Sequence, residues 1–150
     1  MIEGVQITSL SEIKDKRGSV MHMIRSDSTV FKKFGEVYFS TVFPNKIKAW
    51  HMHKEMTLNY VCIKGKIKFV LYDDRKNSKT KGEIQEFNLS PKDYFLVTVP
   101  PLIWNGFINV GNKTSILANC ASIPYSDDEI IRKLPFDKSI PYKWPNKWEF

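Results

Sequence analysis

Two histidines, His51 and His53, are separated by one residue in the segment Lys48-Ala49-Trp50-His51-Met52-His53-Lys54. In a β-strand alternate residues lie on the same side, so both imidazoles and Ala49 are predicted to share one face. Such a pair can be two hydrogen-bonded core residues, two ligands of a transition metal, or an acid–base centre. A neutral imidazole with a pKa near about 6.5 can take up and return protons near neutral pH.

The surrounding residues make a poor set of metal ligands. Cupins often bind a metal through His-x-His, a glutamate a few residues on, and a distant histidine. Here Glu55 lies only two residues after His53, and the region of the distant histidine reads Trp104-Asn105-Gly106. Asparagine is a weaker transition-metal ligand than imidazole or carboxylate, so a divalent ion would lack ligands. Acid–base chemistry, which needs no metal or other cofactor, is therefore favoured.

The histidines lie among short strand-like segments that recur every eight to twelve residues, a spacing typical of a β-sandwich or barrel. Turn residues Lys64-Gly65 and Gly111-Asn112 predict two hairpins. The predicted strands are 60–63, 67–72, 84–89, 94–99, 107–110 and 114–122.

One short helix is predicted near the end of the chain. Ser126-Asp127-Asp128-Glu129 forms a capping box, because the serine can accept from a free backbone N–H while the glutamate reaches back. Ile130, Ile131 and Leu134 would give the helix an apolar face before Pro135 ends it. The following segment, 141–150, is expected to pack against the sheets in an extended form.

Composition limits the remaining possibilities. A chain of 150 residues with 42% hydrophobic residues predicts one folded domain spanning 1–150. Cys62 and Cys120 lie in apolar runs and are read as buried thiols. The chain begins without a signal peptide and contains no apolar run of about 20 residues, which predicts a cytoplasmic protein without a membrane contact. The net charge of +7 is spread along the chain, which favours an anionic small molecule over nucleic acid.

Several motifs resemble the nucleotide-sugar branch of the cupins, the dTDP-4-dehydrorhamnose 3,5-epimerases and the dTDP-4-keto-6-deoxyglucose ketoisomerases. The resemblance extends over roughly 15–144. It rests on Asp15-Lys16-Arg17-Gly18, on Gly65 followed by 72–82, and on Pro135-Phe136-Asp137 before Trp144-Pro145. The segment His51-Met52-His53-Lys54 is closer to the ketoisomerases, which have His-x-His-Lys at this place. The resemblance implies an all-β cupin jelly roll and a homodimer that shares strands.

The resemblance also implies roles for individual residues. His51 takes the place of the histidine that removes the proton next to the sugar's keto group, and Lys48 replaces an arginine that meets the diphosphate. The family's acid is missing, and its substitutes could be His53, Tyr38, Tyr60 or Tyr125, which would stabilise the enolate or return a proton. The substrate-binding candidates are Lys48, Arg17, Arg75, Trp104, Asn105, Asn119 and Tyr125.

At several positions the chain departs from the epimerase pattern. Leu58 stands in place of a lysine near the keto oxygen, Phe69 in place of an aspartate, and Ala118 near the place of the catalytic tyrosine. The sequence ends before the segment that holds the aspartate partner of the catalytic histidine. We therefore expect an isomerase, an epimerase or ketoisomerase, acting on a nucleotide-linked 4-keto-6-deoxyhexose in deoxysugar and polysaccharide biosynthesis. Two alternatives remain open, a non-catalytic cupin that binds a sugar nucleotide or carbohydrate, and a metal-dependent cupin.

Overall fold

A computed structural model of the chain describes residues 1–145, and within them all regular structure is β-strand. The strands are β1 (Gln6–Ser9), β2 (Glu12–Asp15), β3 (Gly18–Met21), β4 (Glu36–Val42), β5 (Ile47–His53), β6 (Leu58–Lys64), β7 (Ile67–Tyr72), β8 (Ile84–Leu89), β9 (Phe95–Val99), β10 (Trp104–Asn109), β11 (Ser115–Ala121) and β12 (Ile130–Arg132).

Two five-stranded antiparallel sheets form a sandwich. One sheet has the order β1-β9-β6-β11-β4 and the other β12-β5-β10-β7-β8, while β2 and β3 form a separate two-stranded ribbon. The main core lies between the sheets, where Leu58, Phe69, Leu71 and Leu117 are almost completely buried. This confirms the predicted all-β jelly roll.

Both predicted hairpins are wrong. The strands on either side of Lys64-Gly65, β6 and β7, lie in different sheets, and so do β10 and β11 on either side of Gly111-Asn112. These short turns therefore carry the chain from one sheet to the other. Gly65 has a φ of +82°, and a Cβ there would lie 2.1 Å from the Ser115 Oγ, so only glycine fits this corner without strain.

The predicted C-terminal helix is also wrong. Residues 126–129 form a turn, closed by the Glu129 backbone N–H donating to the Ser126 carbonyl, and Ile130–Arg132 is strand β12. β12 pairs with β5 in the register Ile130 to His53 and Arg132 to His51. The Glu129 carboxylate does not reach back to residue 126, because it is directed into the sandwich beside His53. Tertiary contacts thus override the local capping pattern.

The end of the described chain packs on the outer face of the second sheet. Trp144 and Tyr142 contact Trp50 with ring centroids 5.0 and 5.8 Å apart, and Trp50 and Trp144 both donate to the Pro135 carbonyl. The packing predicted for this segment is found for Tyr142 and Trp144, without regular secondary structure over 141–145, and the rest of that prediction lies outside the described residues. No helix long and apolar enough to cross a bilayer occurs within residues 1–145.

Candidate functional site

A cavity of about 410 Å³ opens on one side of the sandwich. It is lined by β4, an edge strand of the first sheet, and by β12, an edge strand of the second. Alternate residues of these strands point into it, as the two-residue period of a strand requires. Both histidines of the His-x-His segment lie on its wall. The lining residues are Glu36, Tyr38 and Ser40 from β4, Lys48, His51 and His53 from β5, Ile130 and Arg132 from β12, and Met56, Tyr60, Phe107 and Tyr125.

The shared face predicted for His51 and His53 is confirmed, but Ala49 lies on the other face. Ala49 packs with Trp50 in the outer cluster, because β5 carries a bulge at this point. Asn105 of β10 pairs with His51, and Phe107 of β10 pairs with Lys48. The pairing therefore advances three residues along β5 for every two along β10 at this point. The extra residue brings Lys48 and His51 onto the same side despite their odd spacing.

His53 is held by a carboxylate that the sequence reading assigned to a helix cap. The Nδ1 atom of His53 lies 2.5 Å from the Glu129 Oε2, and both side chains are nearly buried. The other carboxylate oxygen of Glu129 accepts from the backbone N–H groups of Glu55 and Met56, at 2.8 and 2.9 Å. Burial alone would raise the pKa of Glu129, but these hydrogen bonds and His53 outweigh it and lower the pKa. An ionised Glu129 keeps the His53 proton on Nδ1, which leaves Nε2 for the cavity.

His51 is kept neutral. Burial, the positive charge of Arg132, that of His53 when it is protonated, and that of Lys48 together lower its pKa to about 4. A neutral imidazole at physiological pH can accept a proton, which is what a general base needs. The backbone carbonyl of His51 accepts from the Asn105 side-chain amide at 3.0 Å, and Asn105 is itself 1% exposed. Asn105 therefore braces the strand that carries His51, and it does not line the cavity.

Two tyrosines face the cavity from the first sheet, and both were predicted from the sequence as catalytic candidates. Tyr38 on β4 and Tyr60 on β6 are both paired with Asn119 on the strand between them, so the three form one row across the sheet. The Asn119 side-chain amide donates to the Tyr38 hydroxyl oxygen at 2.9 Å. Asn119 is fully buried, contacts Tyr38 and does not line the cavity.

The wall beside the histidines is positively charged. Lys48 and Arg132 both line the cavity, and each acts on His51 as a nearby positive charge. Arg132 also donates to the Tyr125 hydroxyl at 3.3 Å, and Tyr125 in turn donates to Asp127. Two cations and a phenol at one wall make a binding site for an anionic group.

Glu36 places a negative charge in the same cavity. One of its carboxylate oxygens is buried and has no hydrogen-bond partner among residues 1–145. A buried acceptor without a donor costs free energy, so a ligand that brings a hydroxyl or N–H group there gains a partner. Neither Glu36 nor Ser40 was a candidate from the sequence.

Besides Asn105 and Asn119, three further predicted substrate-binding residues do not line this cavity in the described chain. Arg17 is in the β2–β3 turn, exposed and paired with Asp15. Trp104 is 3% exposed on the opposite face of the sheet, with the Lys133 ammonium 4.5 Å from its ring, and does not line this cavity. Arg75 pairs with the buried Asp73 at 2.9 Å and stabilises the β7–β8 loop.

The positions that depart from the epimerase pattern belong to the packing. Leu58 and Phe69 lie in the core between the sheets. Ala118 faces the outer side of the first sheet, where it packs with Val61 and Leu96. None of these three side chains reaches the cavity, so the chemistry depends on other groups.

The sequence reading missed two further residues of the site, Arg132 on the cavity wall and Glu129, which holds His53. Arg132 gave no local signal, because Ile130-Ile131-Arg132 does not alternate between apolar and polar residues, although Ile130 and Arg132 share one face of the strand. Glu129 gave a misleading signal, because a serine three residues before a glutamate is also the pattern of a capping box. As for metal, within residues 1–145 no group of three His, Cys, Asp or Glu side chains is close enough to hold an ion.

Comparison with known proteins adds the family. Residues 3–138 match the family described as FdtA, WxcM-like, C-terminal. A probable low-salt glycan biosynthesis epimerase from Haloferax volcanii is 33% identical, over 94% of this chain and 88% of its own length. The spore coat polysaccharide biosynthesis protein SpsL of Bacillus subtilis is 29% identical, over 96% and 97%. A crystal structure of a dTDP sugar isomerase from Desulfovibrio desulfuricans G20 is 40% identical, with a TM-score of 0.93 over 95% of this chain and 92% of that one. The chain is therefore a cupin-fold isomerase that belongs to the FdtA, WxcM-like C-terminal family.

Proposed function

We propose that this isomerase acts on a nucleotide-diphosphate-linked 4-keto-6-deoxyhexose, with a dTDP sugar as the first substrate to test, in the biosynthesis of a surface polysaccharide or glycan. The observation that carries the proposal is a cavity in which a neutral histidine, a carboxylate-paired histidine and a phenol meet two cations. The similar isomerase is named for a dTDP sugar, and the curated relatives for glycan and polysaccharide biosynthesis.

In this mechanism His51 removes a proton from the carbon next to the keto group. The C–H electron pair forms a C=C bond, and the carbonyl pair moves onto the oxygen, which receives a proton from a hydroxyl of the cavity. Return of a proton to the ring carbon then completes an epimerisation or moves the keto group along the ring. His53, which lines the cavity and whose Nδ1 is held by Glu129, is proposed as the second proton carrier.

Lys48 and Arg132 are proposed to hold the diphosphate. Removal of either charge-assisted contact by Lys48→Ala or Arg132→Ala should cost about 1.5–3 kcal/mol, or roughly ten- to a hundredfold in dTDP affinity. Isothermal titration calorimetry with dTDP measures this. Lys76→Ala is the matched control, because Lys76 lies at a depression on the opposite face and should leave the affinity unchanged. Wild-type dTDP affinity in both cavity variants would exclude diphosphate binding at this wall.

The function itself is tested by deuterium incorporation. The purified protein is incubated with dTDP-4-keto-6-deoxyglucose in deuterated water, and NMR follows exchange of the ring protons next to the ketone. We expect exchange, and we expect it to continue in the presence of a chelator, since the described donors do not complete a metal site. Tight dTDP binding without exchange of any keto-sugar nucleotide would favour the non-catalytic alternative. Loss of exchange on chelation would favour the metal-dependent one.

A homodimer is also part of the proposal, and strand β4 supports it. β4 is at the edge of its sheet, and Val37, Phe39 and Phe43 expose 48, 63 and 64% of their surface there. An edge strand with an apolar outer face is a site for pairing with a second chain. Light scattering after gel filtration should give twice the mass of the chain, and Phe39→Lys should give the monomer. The same change at Ile84, on the edge strand β8 of the other sheet, should leave the mass unchanged.

A further inference from the structure

We propose that Glu36 is a specificity-determining residue, whose carboxylate accepts a hydrogen bond from a ring hydroxyl of the hexose and so fixes the direction in which the sugar nucleotide lies in the cavity. The inference rests on the proposed function for the class of ligand, a nucleotide-linked sugar. The placement of the carboxylate follows from the contacts of this chain alone.

Strand β4 directs Glu36 into the cavity. Along β4 the side chains alternate between two sides, so that Glu36, Tyr38 and Ser40 line the cavity while Val37 and Phe39 are exposed on the outer side. All seven residues of β4 pair with β11 in one unbroken register. The sheet therefore holds the backbone of Glu36 in place and leaves only its side chain to adjust.

The carboxylate of Glu36 has an unused capacity to accept hydrogen bonds. Its Oε1 atom is shielded from water and accepts from no donor in the part of the chain that the structure describes. An oxygen in this state has lost its hydrogen bonds to water and gained none in return, which costs free energy until a donor arrives. The residue as a whole is half-buried on the cavity wall, and the torsion about its Cγ–Cδ bond is broad. A small rotation therefore presents this oxygen to a ligand.

The chemistry of a carboxylate decides which part of the substrate Glu36 can bind. A carboxylate accepts hydrogen bonds and donates none, and its charge repels a diphosphate. A 4-keto-6-deoxyhexose that is joined to the diphosphate through C1 keeps hydroxyl groups at C2 and C3, and these are donors. The remaining donors of a dTDP sugar are on the nucleoside, namely the thymine N–H and the hydroxyl of the deoxyribose.

The position of Glu36 along the cavity favours the sugar. Glu36 lies at the end where β5 leads into β6, because the residue that follows its partner on β11 donates its backbone N–H to the Thr57 carbonyl, just before β6. His53 ends β5 at the same place, whereas Lys48 lies near the beginning of that strand. A diphosphate held at Lys48 therefore leaves the hexose to extend past the histidines toward Glu36.

The test measures the binding of dTDP-6-deoxyglucose, in which a hydroxyl replaces the ketone so that no reaction can occur. Isothermal titration calorimetry compares this ligand with its 2-deoxy and 3-deoxy analogues, in wild type and in Glu36→Ala. In wild type, loss of the hydroxyl that Glu36 binds should lower the affinity roughly ten- to a hundredfold. In Glu36→Ala the same loss should change it by less than about twofold. dTDP alone should bind to Glu36→Ala at least as tightly as to wild type, because a negative charge has been removed.

Glu83→Ala is the matched control for the loss of a carboxylate. Glu83 is exposed just before β8 and does not line the cavity, so this variant should keep the wild-type discrimination between the three ligands. Discrimination lost in both variants would mean that it depends on the net charge of the protein, and would overturn the role of Glu36.

The other outcomes separate this inference from the proposed function. Equal binding of all three ligands by wild type overturns it, and so does discrimination that persists in Glu36→Ala. Weaker binding of dTDP alone in Glu36→Ala places the carboxylate at the nucleoside and overturns it too. Hydroxyl discrimination through Glu36 in a protein that exchanges no keto-sugar nucleotide supports this role and overturns the proposed isomerisation. Exchange without such discrimination does the reverse, and a wild type that does not bind dTDP-6-deoxyglucose overturns the role of Glu36.

Discussion

Replacement of His51 by asparagine is expected to reduce deuterium exchange of the keto-sugar nucleotide by about 10²–10⁴, the usual contribution of a positioned general base. Asparagine is close to histidine in size and can hydrogen-bond, but it cannot accept the proton at neutral pH. The diphosphate contacts proposed for Lys48 and Arg132, which line the same cavity, do not depend on the imidazole. dTDP affinity should therefore stay within a few-fold of wild type. Exchange at the wild-type rate in His51→Asn would exclude His51 from the mechanism.

The pH dependence gives an independent check on His51. Because burial and the neighbouring cations lower its pKa to about 4, it remains an unprotonated base well below pH 6.5. The acidic limb of kcat/KM that belongs to this group should therefore lie near pH 4, whereas an exposed histidine would give a limb near about 6.5.

The pH dependence of the free energy of unfolding should also reflect the lowered pKa of His51. The unfolded chain, with a histidine pKa of about 6.5, binds more protons than the folded chain between pH 6.5 and 4. The free energy of unfolding therefore falls as the pH drops through this window, by up to about 3 kcal/mol from His51. Urea unfolding at about pH 7 and at about pH 4.5 measures this fall in the free energy of unfolding. His51→Asn should lack the part of the fall that comes from His51.

The fold and the histidine face were predictable because they depend on local patterns. The two-residue period places His51 and His53 together whatever sheet they belong to, and the strand spacing indicates a sandwich. Sheet membership was not predictable, because Gly65 suits a hairpin and a corner between sheets equally well. The bulge that turns Ala49 away and brings Lys48 beside His51 is also a matter of register between distant strands.

The rest of the site depends on contacts across long stretches of chain. Glu129 reaches His53 over 76 residues, and Asn119 reaches Tyr38 over 81. No local pattern encodes such pairs. The role of a charged side chain also cannot be assigned from its residue type alone, since Arg75 pairs with the buried Asp73 while Arg132 lines the cavity. The resemblance identified the chemistry, and the tertiary structure decided which side chains are available for it.

The second large effect is expected from Glu129→Gln, which preserves shape and removes charge. The amide oxygen can still accept from the backbone N–H groups of Glu55 and Met56. The amide nitrogen then faces the His53 Nδ1, and two donors cannot face each other. His53 must carry its proton on Nε2, the nitrogen that Glu129 does not hold, and so loses its ability to accept a proton there.

This makes Glu129→Gln a test of the histidine tautomer. A comparable exchange of carboxylate for amide beside a catalytic histidine lowers kcat by about 10⁴, and a loss of about 10²–10⁴ in deuterium exchange is expected here. Nitrogen-15 NMR of the labelled imidazole should show the proton on Nδ1 in wild type and on Nε2 in the variant. Asp128→Asn is the matched control, because it makes the same chemical change one residue away at an exposed position. Full exchange activity in Glu129→Gln, with the proton moved to Nε2, would show that His53 carries no proton in the reaction and leave His51 to act with a hydroxyl of the cavity alone.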